Sequence, residues 1–230
     1  MTSPVRWHRL DTADQVAAEA ARGIGEVAEE AIRRQGCFRI VVAGGRTPEQ
    51  CYRHLAGADT DWSRWEIYFG DERCLPADHP HRNSVMVRRC WLQHASIPER
   101  QIHPIPAEQG AEAAALAYEP LVRDALPFDL VVSGMGEDGH TASLFPGHDH
   151  PADRLVVPVH DAPKPPADRV SLNLPALNGT QRMLILVTGA AKRAALARWR
   201  AGADLPVAAL SARQAVDVLV DEAALPVQPT

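Results

Sequence analysis

FDLVVSGMGEDGHTASLFPGH, residues 128–148, is the stretch on which the reading of this chain turns. It opens with an apolar run, Phe128 to Val132, too short for a solvent-facing helix and suited to a buried parallel strand. Gly134, Gly136 and Gly139 follow, then His140, small hydroxyl residues and a Pro146-Gly147 stop. In open α/β sheets ligands sit beyond the carboxyl ends of such strands. The spacing therefore places His140 where chemistry is expected.

The same alternation of strand and helix extends in both directions. Leu10 to Arg34 has Val16, Ala20, Ile24, Val27 and Ala31 near helical spacing, with Asp11 or Thr12 available as a cap. Gly36 stops that helix, and Cys37 to Val42 reads as the first strand. Ala43-Gly44-Gly45-Arg46-Thr47-Pro48 is a turn into a helix from Glu49 to Leu55, with Thr47 as cap and Pro48 at the first helical position. Trp65 to Phe69 is the second strand, ending at Gly70-Asp71-Glu72-Arg73, and Asn83 can cap a helix running to about Gln93. Gln101 to Pro106 reads as extended, and Glu108 to Ala125 as a helix interrupted by Pro120. Beyond the central loop, Arg154 to Val159, Arg169 to Leu174, Met183 to Val187 and Ala215 to Val220 read as strands. Ala190 to Arg200 reads as a helix, and the tail carries Pro226 and Pro229. This order predicts an α/β fold, a mostly parallel sheet with helices on both faces. No internal repeat or low-complexity linker interrupts it, so one domain over residues 1–230 is expected.

Composition narrows the function class. The 46% hydrophobic and 23% charged content suits a soluble globular protein with a large core. A net charge of −5 argues against nucleic acid or an anionic membrane as partner and leaves an anionic small molecule open, provided the positive charges gather in one pocket. Lysine occurs only at Lys164 and Lys192. Cys37, Cys51, Cys74 and Cys90 have no zinc-like spacing and read as free thiols. The N-terminal residues lack an apolar signal core, and no apolar run approaches the ~18 residues of a membrane span. A cytoplasmic protein, monomeric or weakly self-associating, is expected.

Several motifs carry candidate chemistry. Gly44 and Gly45 lie between a strand and a helix N-terminus, where backbone N–H groups and the helix dipole suit a phosphate, although an ordinary turn would look the same. Gly134-x-Gly136-x-x-Gly139 matches the dinucleotide fingerprint, with Asp153 downstream, but Pro146 and Gly147 end any helix within about two turns, so a nicotinamide site is not expected. His140, with an ordinary pKa of ~6.5, can serve as a base near neutrality. Asp71 and Arg73 offer a carboxylate to orient a hydroxyl or histidine and a guanidinium for a phosphate or oxyanion, against the plainer reading of a solvated turn. Lys192 can aim an ammonium at an anion. His148-Asp149-His150 and His79-Pro80-His81 lie in polar loops without helical metal-ligand spacing, so no metal is expected. There is no Gly-x-Ser-x-Gly elbow and no P-loop.

Taken together these segments resemble the 6-phosphogluconolactonase family. The resemblance rests on Gly44-Gly45-Arg46-Thr47-Pro48, Trp65 to Arg73 with Asn83-Ser84, and the block Gly134 to Gly147. Lys164-Pro165-Pro166 with Arg169, and Thr188-Gly189 with Lys192, complete it. Arg46 stands where the family commonly carries serine. The resemblance implies a modified Rossmann-like domain shared with glucosamine-6-phosphate deaminases, from which Arg73 and Ser143-Leu144-Phe145-Pro146-Gly147 separate this chain. It further implies hydrolysis of 6-phospho-D-glucono-1,5-lactone in the oxidative pentose phosphate pathway, with no cofactor. His140, Asp71 and Arg73 would act at the reacting carbon. Gly44, Gly45, Thr47, Arg169 and Lys192 would hold the phosphate. An amino-sugar-phosphate deaminase or isomerase, and a non-catalytic sugar-phosphate sensor on the same fold, are the alternatives.

Overall fold

The computed structural model describes residues 4–226, so Pro229 lies outside the described residues. In chain order the strands are β1 (Val5–Leu10), β2 (Phe38–Val42), β3 (Trp65–Phe69), β4 (Asp71–Arg73), β5 (Ile102–His103), β6 (Phe128–Gly134), β7 (Val156–Val159), β8 (Arg169–Leu172), β9 (Thr180–Val187) and β10 (Ala215–Asp221). The α-helices are α1 (Ala13–Gln35), α2 (Arg46–Leu55), α3 (Asn83–Val87), α4 (Ala111–Ala125), α5 (Leu174–Leu177) and α6 (Arg193–Arg200). Seven strands form one sheet in the order β1-β10-β9-β6-β2-β3-β5, and every pairing in it is parallel. Its central strands are apolar on both faces because helices cover both, which is why they read as continuous hydrophobic runs.

The order of strands locates the site. From β2 the chain steps outward to β3 and β5, then returns to β6 and steps the other way to β9 and β10. The reversal falls between β2 and β6, which pair directly through Ile40 with Leu130 and Val41 with Val131. A crevice opens at the carboxyl ends of two such strands because their following loops diverge to opposite faces. Those loops are Ala43-Gly44-Gly45 and the glycine-dense segment after Gly134.

A second, antiparallel sheet, β4-β8-β7, stands over that rim. The segments around Arg154–Val159 and Arg169–Leu174 are therefore strands, but they belong to this smaller sheet. Gly70 joins the two layers: its N–H donates to Val42 and its carbonyl accepts from Leu172.

Other local expectations are corrected. Residues 5–10 form an edge strand beside β10, and the helix begins only at Ala13, with Thr12 and Gln15 in a reciprocal capping box. The strand escapes the sequence pattern because its residues are largely exposed and charged. In α2 the cap is Gly45, at φ 109°, rather than Thr47, and Arg46 is the first helical residue. Arg82, not Asn83, occupies the cap position of α3, whose last turns widen into a π-helix over Arg88–Leu92. Pro120 sits inside an unbroken α4; the carbonyl it orphans belongs to Leu116, which is 63% exposed and open to water. The segment from Ala190 starts as a 3₁₀ turn before α6.

Thr12→Ala removes one half of the capping box and is expected to lower stability by about 1 kcal/mol. A urea titration should show a lower midpoint with unchanged slope.

Candidate functional site

The turn after β2 is fixed from below. Buried Tyr52 accepts the Ala43 N–H at 2.9 Å and donates to the Ala43 carbonyl at 3.1 Å. Gly44 then passes so close to Asn83 that a Cβ on it would lie 1.9 Å from Asn83 Oδ1. Gly45 opens α2, whose first N–H groups face the crevice end of the helix without side-chain caps. Thr47 Oγ1 lies 2.5 Å from Thr188 Oγ1, tying this turn to the end of β9. Just beyond, the Gly189 N–H donates to both oxygens of Asp221, holding the turn that carries Lys192.

Asp71 is buried, and a buried carboxylate needs partners. Asn83 Nδ2 donates to its Oδ1 at 2.9 Å and to its backbone carbonyl, and Ser143 Oγ donates to its Oδ2 at 2.7 Å. Hydrogen bonds to a charged group contribute roughly 1.5–3 kcal/mol each. Through this carboxylate the Gly44 turn, β4, α3 and the His140 loop are joined. The triplet Asp71-Glu72-Arg73 is thus no solvated turn. Glu72 is fully buried and accepts the N–H groups of Asn83 and Ser84 at the start of α3.

The loop after β6 is shaped around its histidine. Gly136 leaves room for the ring: a Cβ there would stand 2.0 Å from His140 Nδ1. Gly139, at φ 94°, turns the chain back so that Asp138 Oδ1 meets His140 Nδ1 at 2.6 Å and its backbone N–H at 3.1 Å. Burial alone would raise the Asp138 carboxyl; the hydrogen bonds and charge of His140 outweigh it and hold it below the ordinary aspartate range. The contact assigns the Nδ1 proton to this bond and leaves Nε2 free to accept another. The ring also rests 4.7 Å from Phe145, centroid to centroid.

Asp138, not Asp71, is therefore the partner of His140. Asp71 reaches the loop through Ser143 instead.

Arg73 and Arg169 are opposite each other on β4 and β8. Arg73 donates to the His81 carbonyl, while its Nε is buried without a partner. Arg169 is buried over the Phe145 ring, with Nε and Nη2 spent on the carbonyls of Pro166 and Lys164. Burial lowers its pKa; the Asp71 charge counters that shift and the Arg73 charge adds to it. Lys192 is half-buried, and its ammonium has no hydrogen bond or ion pair among the described residues. Its ammonium is lowered chiefly by burial, with Glu137 and Asp138 countering and Lys164 adding to the shift.

Of the eight residues singled out from the sequence, Gly44, Gly45 and Thr47 lie on the turn and helix start after β2, His140 on the loop after β6, Asp71, Arg73 and Arg169 on the small sheet, and Lys192 on the turn after β9. Sequence reasoning gave no individual role to Asp138, Asn83 or Ser143; the Asp-Gly-His order was the available signal for the first. The His79 and His81 rings have centroids 5.1 Å apart, and those of His148 and His150 are 6.4 Å apart. Among the described residues no three His, Cys, Asp or Glu side chains form a metal-binding group, and the four cysteines are free. No helix among the described residues is long and apolar enough to cross a membrane.

Comparison with known proteins supplies context for this geometry. The family described as glucosamine-6-phosphate isomerases/6-phosphogluconolactonase matches residues 11–220. The 6-phosphogluconolactonase of Mycobacterium tuberculosis is 37% identical over 225 residues, covering 90% of this chain and 91% of that protein. The enzyme of that name from Streptomyces coelicolor is 34% identical, covering 90% and 88%. Among solved structures, 6-phosphogluconolactonase from Thermotoga maritima superposes with a TM-score of 0.89 at 28% identity, covering 95% of this chain and 100% of that one. A monomeric glucosamine-6-phosphate deaminase shares the fold, with a TM-score of 0.84 at 21% identity over 96% and 98% of the two chains.

Gly44→Ala must displace Asn83 and is expected to cost about 1–3 kcal/mol. Combined with Asn83→Ala the two losses should be strongly non-additive, which a double-mutant cycle by chemical denaturation would read directly.

Proposed function

Because the chain belongs to the glucosamine-6-phosphate isomerase/6-phosphogluconolactonase family, we propose that it hydrolyses 6-phospho-D-glucono-1,5-lactone to 6-phosphogluconate in the oxidative pentose phosphate pathway, with His140 as general base. The observation that carries this reading is the Asp138–His140 pair at the carboxyl end of β6, beside the crevice where β2 and β6 diverge. An imidazole held through Nδ1 presents Nε2 as a proton acceptor. A water losing its proton to Nε2 adds to C1, and the carbonyl electrons move onto oxygen. As the tetrahedral centre collapses, the bond from C1 to the ring oxygen breaks and His140 returns the proton to that oxygen. General acid–base help of this kind is typically worth ~10² to 10⁴ in rate.

The oxyanion needs donors already in place. Backbone N–H groups of the glycine turns and the unpartnered Nε of Arg73 suit that task. The phosphate, remote from the reacting carbon, would lie against Gly44, Gly45 and Thr47 at the start of α2, with the Lys192 ammonium across the Thr47–Thr188 contact. Arg169 contributes charge rather than hydrogen bonds through Nε or Nη2, since loop carbonyls take both. The lactone carbonyl is already electrophilic, so the route calls on no cofactor. In this reading residues 1–230 work as one cytoplasmic catalytic domain, monomeric or weakly self-associating.

A deaminase would use Asp71 to remove a carbon-bound proton. Here both Asp71 oxygens receive hydrogen bonds from buried groups, which favours a supporting role for it. Release of ammonia from glucosamine 6-phosphate would reverse that judgement. A sensor on this fold would bind 6-phosphogluconate and show no hydrolysis above the spontaneous rate.

His140→Ala is expected to lower kcat by about 10²-fold or more while 6-phosphogluconate still binds; pH-stat turnover equal to the parent would remove the assigned base. Lys192→Ala should act mainly on KM for the phosphorylated lactone. An equal loss on unphosphorylated glucono-1,5-lactone would contradict a phosphate contact.

A further inference from the structure

Two of the 24 lysine and arginine residues in the chain are lysines; one pairs with Glu137 and the charge of the other acts on it. Lys164 Nζ lies 3.2 Å from Glu137 Oε2. Its backbone carbonyl accepts from Arg169 Nη2, which anchors the loop that carries it. Lys192 stands on the turn after β9, close enough for its charge to act on Glu137. The Glu137 carboxyl is lowered first by its hydrogen bond with Lys164, then by the charges of Lys164 and Lys192. The next residue, Asp138, is the one that aligns the imidazole.

The choice of lysine has a physical meaning. Arginine, with a rigid fork of donors, suits a planar two-point pair, as where Arg6 Nε and Nη2 donate to the two oxygens of Asp217. Lysine is a compact, rotatable point charge that can change partners without matching a plane. The Lys164–Glu137 pair is also exposed, with side chains 67% and 53% accessible, and pairs of that kind are weak. Giving it up costs little.

We propose that Glu137 is a placeholder for the phosphate of the substrate: it pairs with Lys164, with the unpaired Lys192 nearby, and yields that ammonium to the incoming dianion. This rests on the lactonase reading, with Lys192 at the phosphate pole. Glu137 then competes with phosphate for the Lys164 ammonium, weakening substrate and product binding together. Competition of this kind serves a reaction that creates charge. Hydrolysis turns a neutral lactone into a carboxylate at neutral pH, so the product leaves with one more negative charge than the substrate brought. A fixed anion at the mouth hastens that departure.

The test compares wild type with Glu137→Gln on phosphorylated and unphosphorylated glucono-1,5-lactone, with inorganic phosphate as competing probe. Glu137→Gln is expected to lower KM for the phosphorylated lactone and the inhibition constant of inorganic phosphate by about two- to fivefold, raising the preference for the phosphorylated substrate by the same factor. Unchanged phosphate inhibition, or an equal KM shift on both lactones, would overturn the placeholder. Wild-type enzyme without preference for the phosphorylated lactone removes the phosphate pole and both readings with it. A wild-type preference that Glu137→Gln leaves untouched removes the placeholder alone.

Discussion

The direct parallel pairing of β2 with β6 is the constraint on which the rest of the molecule depends. Two strands about 4.8 Å apart, whose chains leave in opposite directions, must open a gap at their carboxyl ends. Nothing in that requirement is chemical. It follows from connectivity and from the need to cover both faces of an apolar sheet. What the sequence adds is glycine at both exits, so that backbone and small ligand atoms can approach where side chains would otherwise fill the gap.

The walls of the crevice are held by polar junctions between the elements that form them. Asp71 receives Asn83 and Ser143, Glu72 receives the start of α3, and Thr47 meets Thr188. Leaving a buried carboxylate without partners would cost several kcal/mol, more than a single missing contact elsewhere. The close fit of Gly44 against Asn83 follows from this. Conformational uniqueness at the rim comes from groups that cannot move without leaving a charge unpaired.

Much of this was legible in the sequence. Short apolar runs identified most strands of the large sheet, because burial on both faces leaves no periodicity to misread. The glycine turns after Val42 and Gly134 marked the site. Other features were hidden for definite reasons. Val5–Leu10 is an edge strand whose Arg6 and Arg9 pair with Asp217 and Glu222, so it lacks an apolar signature. The three-stranded sheet joins β4 to partners about a hundred residues away, and only antiparallel register shows that Arg73 faces Arg169. Asp138 lay in plain view, yet its bond to His140 depends on the left-handed turn at Gly139. Spacing alone cannot distinguish that turn from an open loop.

Gly70 has a mechanical consequence. One residue accepts from the small sheet through its carbonyl and donates to the large one through its N–H, so the backbone crosses between layers without a linker. The layers have no hinge there and cannot swing like the halves of a clamshell. Whatever breathing admits a sugar phosphate falls to side chains and surface loops, and the energy of substrate capture is not consumed in moving one layer against the other.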